Sequence, residues 1–317
     1  MMRKLLLCFA VLLTQGVSAE SPPLTINQIQ FVGSHNSYKQ AMSPLIFRAL
    51  HLLDAEVAES LEYWHEPIPK QLDLGLRKLE IDIFFDPDAQ VFPVGHAQVI
   101  DMNTHCKTLQ VCLQQITDWS QHNPRHAPIW VSFNLKDQAI SGLPDPDLFT
   151  PEALELLDSQ LLDALGEQLI KPKDVENLRW PTLEQARGKV LLILDEGGRK
   201  RDWYYDGWQD RPMFTNAPEG HPAAAVMIIN DPIKDFARIQ RLVKAGYMVR
   251  TRADANTVQA RNNDTRQRDQ AFASGAQAIS TDYYLPAQHF GNDYQVKIAG
   301  GVRCNPLLAV PQCRVVE

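Results

Sequence analysis

Short apolar runs alternate with longer amphipathic stretches along most of the chain. Seven of the runs are rich in Val, Ile, Leu or Phe and are bounded by turn-forming or polar residues, a pattern typical of buried β-strands. They occupy residues 28–32, 78–85, 129–135, 189–194, 225–229, 247–251 and 278–280, and a weaker eighth run occupies residues 91–94.

Four segments between these runs show helical features. Their apolar residues recur every three or four positions, or a capping residue stands before a proline at the first helical position. The last segment ends before a glycine, the common C-terminal cap of a helix. The predicted helices are residues 109–122, the segments that follow Thr150-Pro151 and Asp231-Pro232, and residues 265–274 before Gly275.

Alternating strands and helices predict a parallel sheet with helical crossovers. No repeat, low-complexity tract or Gly/Ser linker divides residues 20–317, so we expect one α/β domain. Seven or eight strands favour a single TIM-type (β/α)8 barrel, irregular or with one short strand, over an open sheet. Neither G-x-G-x-x-G nor G-x-x-x-x-G-K-[ST] follows a strand, which excludes the commonest nucleotide-binding motifs. In such a barrel, chemistry lies at the carboxyl ends of the strands.

Residues 1–19 predict a secretory signal that is separate from the domain. Arg3 and Lys4 precede an apolar run, and small residues lead to a cleavage site after Ala19. The run is too short to span a bilayer, and no later stretch approaches the length of about 20 apolar residues that a span needs. We therefore expect a secreted or periplasmic protein whose mature domain is residues 20–317.

The four cysteines beyond this segment are an even number, as expected for an oxidising compartment. They allow three pairings, of which loop closure favours the local pairs Cys106–Cys112 and Cys304–Cys313. A zinc site is the alternative. Neither pair has C-x-x-C spacing, however, and no histidine lies between the members of a pair.

Composition narrows the choice of partners. The 317 residues contain 31 Lys and Arg against 38 Asp and Glu, a net charge of −7, and 44% are hydrophobic. This is an ordinary globular composition, which excludes disorder. The acidic balance argues against a nucleic-acid partner, whose phosphates require a basic face.

The second predicted strand carries two acidic residues with shared orientation. Side chains two apart on a strand point to the same face, so Glu80 and Asp82 are neighbours. Two carboxylates inside a barrel repel each other unless a cation or proton intervenes. A solvated edge strand is one alternative. Neutralisation by Arg77 or Lys78 is another, although both precede the pair and were expected nearer the closed end of the barrel.

Histidines and amides stand at the ends of three predicted strands. His35 and Asn36 follow the first strand, and a second histidine, His96, ends a short apolar segment. Two histidines can accept and donate a proton near neutral pH. On the third strand Asn134 and Lys136 share a face, suited to a cation and a phosphate respectively. The alternative for Asn36, Asn134 and Lys136 is that each caps the backbone of a turn or strand end.

Three motifs, in this order and spacing, resemble the catalytic half of phosphatidylinositol-specific phospholipase C. They are Gly33-Ser34-His35-Asn36-Ser37-Tyr38, Leu79-Glu80-Ile81-Asp82 and Gly95-His96. The Glu-x-Asp pair is similar to the calcium-dependent type and not to the metal-free bacterial type, which places an arginine near this site. Residues 249–254 and 278–283 resemble the last strands of the secreted calcium-dependent branch.

The resemblance implies a role for each matching residue. His35 matches the base that takes the proton of the inositol 2-hydroxyl, which attacks phosphorus, and His96 matches the second histidine, which stabilises the pentavalent state. Asn36, Glu80 and Asp82 match the ligands of one Ca²⁺. Asn134 replaces the glutamate that is the fourth ligand in enzymes of animal type, so either calcium binding is weaker or another group contributes to the shell. Lys136 and Arg252 are candidate phosphate or inositol contacts, since each ends a strand with a fixed positive charge.

Two other functions remain open at this point. A glycerophosphodiester phosphodiesterase also has two histidines and a Glu-x-Asp metal pair, but usually has His-Arg where this chain has His35-Asn36. A barrel that binds headgroups without turnover would have no use for the histidine pair. A phosphoinositide substrate, transient contact with a membrane surface and a monomeric state are expected. Residues 202–208 are either an interfacial aromatic loop or aromatic packing under a loop.

Overall fold

The computed structural model describes residues 23–308, 313 and 315, so the predicted signal segment lies outside the described residues. In the described part, ten strands form one sheet that curls into a barrel. The strands are β1 Ile29–Ser34, β2 Lys78–Ile83, β3 Ile129–Leu135, β4 Leu169–Ile170, β5 Val190–Leu194, β6 Met213–Thr215, β7 Val226–Ile228, β8 Met248–Arg252, β9 Ala278–Thr281 and β10 Val302–Cys304.

Nine of the ten strands run parallel and confirm the predicted α/β barrel. The hydrogen-bonded order is β4-β5-β3-β2-β1-β9-β8-β7, with β6 beside β5. The short strand β4 pairs with the start of β5, and β6 pairs with the remainder of the same edge. Strand β10 runs antiparallel to β1. Among the described residues no ladder joins β6 to β7, where the backbone N–H of Ile228 donates to the Asn216 side chain instead.

The helices lie between the strands. They are α1 Pro44–Leu53, α2 Ala55–Ser60, α3 Ile68–Asp73, α4 Leu109–His122, α5 Pro151–Leu165, α6 Gly198–Tyr204, α7 Phe236–Lys244, α8 Val258–Arg261 and α9 Arg266–Ala273. Three of the predicted helices are confirmed as α4, α5 and α9. The Thr150 side chain accepts the N–H of Ala153 at 3.3 Å and so caps α5 as expected.

Two local predictions are wrong. Residues 91–94 form isolated bridges in a hairpin after β2, and the missing barrel strand is β6. Asp231-Pro232 does not start a helix. The Asp231 carboxylate accepts the N–H groups of Ile233 and Lys234 at 3.0 and 2.9 Å, which closes a turn, and α7 begins only at Phe236.

Alternation along β2 separates core from site. Leu79, Ile81 and Ile83 point outward into the apolar layer beneath α4 and α5. The inward side chains of neighbouring strands form a second apolar cluster that includes Phe31 and Trp130. Lys78, Glu80 and Asp82 also point inward, toward the carboxyl ends of the strands, so polar groups gather at that end of the barrel.

The two predicted disulfides are present. Cys106 bonds to Cys112 just before and within α4, and Cys304 bonds to Cys313 after β10. Their Cα atoms are 5.2 and 6.1 Å apart, within the usual range for a disulfide. None of the helices in the described residues is both long and apolar enough to cross a bilayer.

Candidate active site

Glu80 is held by two basic side chains inside the barrel. Lys78 Nζ lies 2.5 Å and Arg250 Nη2 lies 2.6 Å from Glu80 Oε2. The expectation that Lys78 lies away from the acidic pair is therefore wrong, because Lys78 shares a face with Glu80 and its long side chain reaches along the strand. The alternative of a solvated edge strand is also excluded, since β2 lies between β1 and β3 and is buried throughout.

Asp82 is held by a different set of side chains from Glu80. Its Oδ2 atom accepts from Lys136 Nζ at 2.8 Å and from the Tyr38 hydroxyl at 3.0 Å. The amide nitrogen of Asn134 spans both acids, at 3.2 Å from Glu80 Oε1 and 3.0 Å from Asp82 Oδ1. This contact follows from the register of the sheet, which places Asp82 directly opposite Asn134 on β3.

These contacts fix the charges of the site. Burial alone would raise the pKa of Glu80, but Lys78 and Arg250 outweigh it and hold that pKa well below its ordinary value. Burial lowers the pKa of Lys78 to about 8, against the opposing effect of Glu80. Glu80 is therefore ionised at neutral pH.

His35 leaves β1 through a tight turn. A Cβ atom on Gly33 would stand 2.0 Å from the Lys78 carbonyl oxygen, so only glycine permits the close packing of β1 on β2. Asn36 then adopts a positive φ of 46°, which asparagine tolerates better than most residues. Its amide nitrogen donates to the Tyr63 hydroxyl at 2.7 Å.

The His35 ring is oriented by a carboxylate from β9. Nδ1 lies 2.9 Å from Asp282 Oδ1, and Nε2 faces Glu80 Oε1 at 3.6 Å. Arg252 Nη2 also lies 3.2 Å from Nδ1, but Nδ1 cannot both donate to Asp282 and accept from Arg252. We assign the proton to Nδ1, because the Asp282 contact is the shorter one and a carboxylate oxygen accepts a hydrogen bond.

Burial, followed by the positive charge of Arg252, lowers the pKa of His35 well below its ordinary value. The ring is consequently neutral at pH 7. With the proton on Nδ1, Nε2 carries a free lone pair directed into the site and can accept a proton.

His96 belongs to a separate chain of polar contacts. Its Nδ1 lies 3.2 Å from Asp101 Oδ2, and the other oxygen of that carboxylate is 2.5 Å from Lys39 Nζ. Burial would raise the pKa of Asp101, but the close contact with His96 and the charge of Lys39 lower it. Asp101 is thus a buried anion that fixes the imidazole of His96, whose side chain remains 25% exposed.

A cavity of about 380 Å³ opens between these groups. The side chains that line it include His96, Asn134, Lys136, Asp195 and Lys200. Asn134 connects the cavity to Glu80 and Asp82. A substrate in this cavity would therefore contact His96 and approach the acidic pair.

The predicted calcium ligands offer the oxygen donors that a hard cation prefers. The contacts with basic side chains fall on Glu80 Oε2 and Asp82 Oδ2, and the other two oxygens converge on Asn134. These residue types suit a calcium ion, although in this structure the Asn134 amide nitrogen, and not its oxygen, faces both acids. Within the described residues no group of three or more His, Cys, Asp or Glu is arranged to hold a metal, so the set would depend on two carboxylates and two amides.

The structure brings most of the predicted site residues together. Direct contacts link His35, Glu80, Asp82, Asn134, Lys136 and Arg252. The Asn36 amide instead contacts Tyr63, and His96 lines the cavity beside Asn134 and Lys136 without a direct contact to the acidic pair. Sequence reasoning missed four residues as parts of the site. These are Lys78, Asp101, Arg250 and Asp282.

Three of the missed residues carried a readable signal. Lys78 and Arg250 each stand two positions from a residue already chosen on the same strand, so period-two alternation could have found them. Asp282 follows β9 at its carboxyl end, where functional residues are expected. Nothing in the local sequence points to Asp101.

The aromatic segment at residues 202–208 packs inward. Tyr204 is buried and donates to Asp158 at 2.6 Å, and Trp203, Tyr205 and Trp208 pack against the apolar clusters. The packing interpretation is therefore the one that the structure supports for this segment.

The fold and site define a (β/α)8 barrel phosphodiesterase with histidines and acids at the carboxyl ends of its strands. The family model described as phosphoinositide phospholipase C, Ca²⁺-dependent, matches residues 24–93 and 88–306. The chain belongs to this family, and it is an enzyme of the phosphatidylinositol-specific phospholipase C type. The family is calcium-dependent. A comparison with curated protein sequences gave no significant match.

Solved structures agree on the fold. A calcium-dependent phosphoinositol-specific phospholipase C from Pseudomonas sp. superposes with a TM-score of 0.58 at 16% identity, covering 89% of this chain and 95% of that one. The calcium-dependent enzyme from Streptomyces antibioticus gives 0.56 at 16% identity, covering 87% and 99%. The enzyme from Listeria monocytogenes gives 0.51 at 14% identity, covering 86% and 94%.

Proposed function

We propose that the protein cleaves the phosphodiester of phosphatidylinositol-type lipids, with diacylglycerol and an inositol phosphate as products. The observation that carries this proposal is His35, a neutral imidazole oriented by Asp282 with Nε2 directed into the site. Family membership supports the substrate class. A pure binding function would leave this oriented base without a role.

His35 Nε2 accepts the proton of the inositol 2-hydroxyl, and that oxygen attacks phosphorus. The new P–O bond closes a cyclic phosphate while the P–O bond to diacylglycerol breaks. His96, held by Asp101, gives a proton to the departing diacylglycerol oxygen. A positioned acid and base of this kind typically contribute 10²–10⁴-fold in rate.

Lys136 and Arg252 are the proposed contacts of the charged substrate. Lys136 lines the cavity beside His96, and its side chain is 29% exposed, so it can reach a phosphate oxygen. Arg252 Nη2 lies 3.2 Å from His35 Nδ1, so its positive charge is close to the ring that would deprotonate the hydroxyl. A guanidinium can donate two parallel hydrogen bonds to phosphate or to neighbouring inositol oxygens.

We propose a single Ca²⁺ held by Asn36, Glu80, Asp82 and Asn134. When bound, such an ion lowers the pKa of a hydroxyl and polarises a phosphate oxygen. Lys78, Arg250 and Lys136 already offset the charge of the two acids, and Asn134 adds no negative charge. We therefore expect weak calcium affinity, which calorimetric titration of the protein with calcium would measure independently of activity.

The decisive experiment follows labelled phosphatidylinositol in vesicles and identifies the products. The variants His35→Ala and His96→Ala should each show turnover reduced by at least about a hundredfold. Exhaustive chelation of calcium should abolish turnover. His122→Ala, at the exposed end of α4, is the matched control and should retain full activity. Near-normal turnover by both histidine variants would show that the chemistry resides elsewhere.

We also propose that residues 1–19 are removed on export, and that residues 20–317 form one monomeric domain that contacts membranes transiently. The apolar run and the cleavage site support export, and the two disulfides are consistent with an oxidising compartment. Determination of the N-terminal residue of the exported protein tests the cleavage. Light scattering tests the oligomeric state.

A further inference from the structure

Asp254 is a buried acid that takes no part in the catalytic steps proposed above. It follows β8 by two residues and is 0% exposed. Among the described residues no basic side chain forms an ion pair with its carboxylate, and Arg252 Nε donates to its backbone oxygen instead, at 3.2 Å. A buried acid without a cation must be stabilised by hydrogen bonds or carry a proton.

The hydrogen bonds of Asp254 suit both of its protonation states. The backbone N–H of Asp282 donates to Oδ1 at 2.8 Å. The two contacts of Oδ2 are both hydroxyls, that of Thr281 and, at 3.3 Å, that of Tyr294. A hydroxyl can donate to a carboxylate and can equally accept from a carboxylic acid. Asp254 can therefore gain or lose a proton at Oδ2 without losing a contact.

A second buried acid, Asp282, connects Asp254 to the proposed catalytic base. Its Oδ1 atom lies 2.9 Å from His35 Nδ1. Its Oδ2 atom is buried and has no hydrogen-bond partner among the described residues, although Arg252 Nη2 lies 3.8 Å from it. Two acids thus lie near one guanidinium, and a proton on either acid makes ionisation of the other more favourable.

The surroundings place the ionisation of Asp254 in the neutral range. Burial and the charge of Asp282 raise the pKa of Asp254 to about 7, against the opposing charge of Arg252. The phenols of Tyr283 and Tyr294 also face these acids, but burial raises the pKa of both, so they stay neutral. Further charged or titratable side chains act on the phenols or on Asp282: Arg261 from α8, Arg268 from α9, and His65, Lys78 and Glu80.

We propose that Asp254 is a positioning residue whose ionisation strengthens His35 as a base, so that one proton on Asp254 switches the enzyme from a fast form to a slow form. The proposal rests on the proposed function, because His35 is the base there. An ionised Asp254 places a second negative charge behind Asp282 and so raises the proton affinity of His35 Nε2. Protonation removes that charge.

Activity should therefore rise with pH as Asp254 loses its proton. His35 does not account for a rise near neutral pH, because burial and the charge of Arg252 hold its pKa well below the ordinary value. The acid limb of the pH profile thus reports a residue that does not touch the substrate.

The test measures kcat on phosphatidylinositol vesicles as a function of pH, at saturating calcium. In the unaltered protein kcat should rise about three- to tenfold across one ionisation, with a midpoint at pH of about 7. Asp254→Asn has the shape of the protonated acid, so its kcat should match the unaltered protein at low pH and stay at that level. Tyr294→Phe removes one donor to the anion and should move the midpoint to higher pH.

Asp158→Asn is the matched control. Asp158, on α5, is also a buried acid that accepts a tyrosine hydroxyl, from Tyr204 at 2.6 Å, but Arg211 forms an ion pair with it. Its replacement should leave the midpoint unchanged.

Infrared difference spectroscopy across the same pH range detects the Asp254 carboxyl without any substrate. The unaltered protein should lose a protonated carboxyl band with the midpoint seen in kcat, and Asp254→Asn should lack that band. If the unaltered protein cleaves no inositol lipid, the proposed function fails, and the infrared band still decides whether Asp254 titrates.

Two outcomes would overturn the role of Asp254. The variant Asp254→Asn could lower kcat by the same factor at every pH with an unchanged midpoint, which would indicate a structural role alone. The midpoint could instead be the same in Tyr294→Phe as in the unaltered protein, which would assign the acid limb to another group even if Asp254→Asn does not fold.

Discussion

His35 Nδ1 and Asp282 Oδ1 lie 2.9 Å apart although 247 residues separate them in the chain. The contact exists because β1 and β9 are neighbours in the barrel, with Ser34 directly opposite Thr281. The same register brings Asp254, from the end of β8, into hydrogen bonds with the Thr281 hydroxyl and the Asp282 backbone. The carboxyl ends of β1, β8 and β9 therefore orient one imidazole.

Asp282→Asn should reduce kcat by about 10²–10⁴-fold with little change in KM, because the amide no longer selects the His35 tautomer with a free Nε2. Steady-state kinetics on phosphatidylinositol vesicles measure both constants. Asp264→Asn is the control, since Asp264 pairs with Arg266 on the surface and its replacement should leave the kinetics unaltered. An equal loss in kcat and in folded protein, followed by circular dichroism, would instead indicate a structural role for Asp282.

The barrel was predictable because a local sequence pattern encodes each of its long strands. Each long barrel strand is a run of apolar residues bounded by polar ones, and such a run specifies a buried strand without reference to its neighbours. The strand β6 was missed because Met213–Thr215 is only three residues long and has no such contrast. Helix α1 was missed for another reason. Its apolar residues show no polar face, and its exposure depends on where the chain places it.

The site was predictable where strand alternation alone decides orientation. Glu80 and Asp82 share a face for that reason, and their contact with Asn134 follows from pairing of β2 with β3. The partners of the acids were harder to predict. Whether Lys78 neutralises Glu80 depends on a side-chain conformation, and the Arg250 contact depends on barrel closure.

His65 makes the fold sensitive to acid. Burial lowers its pKa to about 4, and its Nε2 contacts the His35 carbonyl oxygen at 2.6 Å. A depressed histidine pKa means that the unfolded chain binds more protons below pH 6.5, so this contribution is complete above 6.5 and is lost as pH falls toward 4. The loss should reach about 2 kcal/mol at pH 5.

Urea unfolding at pH 7 and pH 5 measures this effect. His65→Gln keeps a donor for the carbonyl but cannot titrate, so the variant should lose less stability between the two pH values than the unaltered protein. His122→Gln, at an exposed helix end, should behave like the unaltered protein. An unchanged pH dependence in the His65 variant would assign the acid sensitivity to other groups.

Lys136→Met should tighten calcium binding by about tenfold, equivalent to about 1.4 kcal/mol. Lys136 places a positive charge 2.8 Å from Asp82 Oδ2, and a bound cation would be repelled by it. Calorimetric titration with calcium measures the affinity. Lys136→Arg retains the charge and should leave the affinity near its original value, whereas equal tightening in both variants would contradict the electrostatic explanation.

Variants of Lys39 and Asp101 can distinguish an effect on the orientation of His96 from an effect on folding. Both side chains are fully buried and lie 2.5 Å apart, so Asp101→Asn would leave the Lys39 charge without its anion. Breaking a buried ion pair on one side typically costs about 3–5 kcal/mol. The single variant should therefore lose both stability and activity.

The double variant Lys39→Met/Asp101→Asn also removes the unpaired positive charge of Lys39 and should recover most of the stability. It should not recover turnover, because His96 still lacks the carboxylate that fixes its ring through Nδ1. Urea unfolding and kcat on phosphatidylinositol vesicles measure the two quantities on the same preparations. Recovery of kcat in parallel with stability would mean that Asp101 acts on folding alone and that His96 needs no anion to orient it.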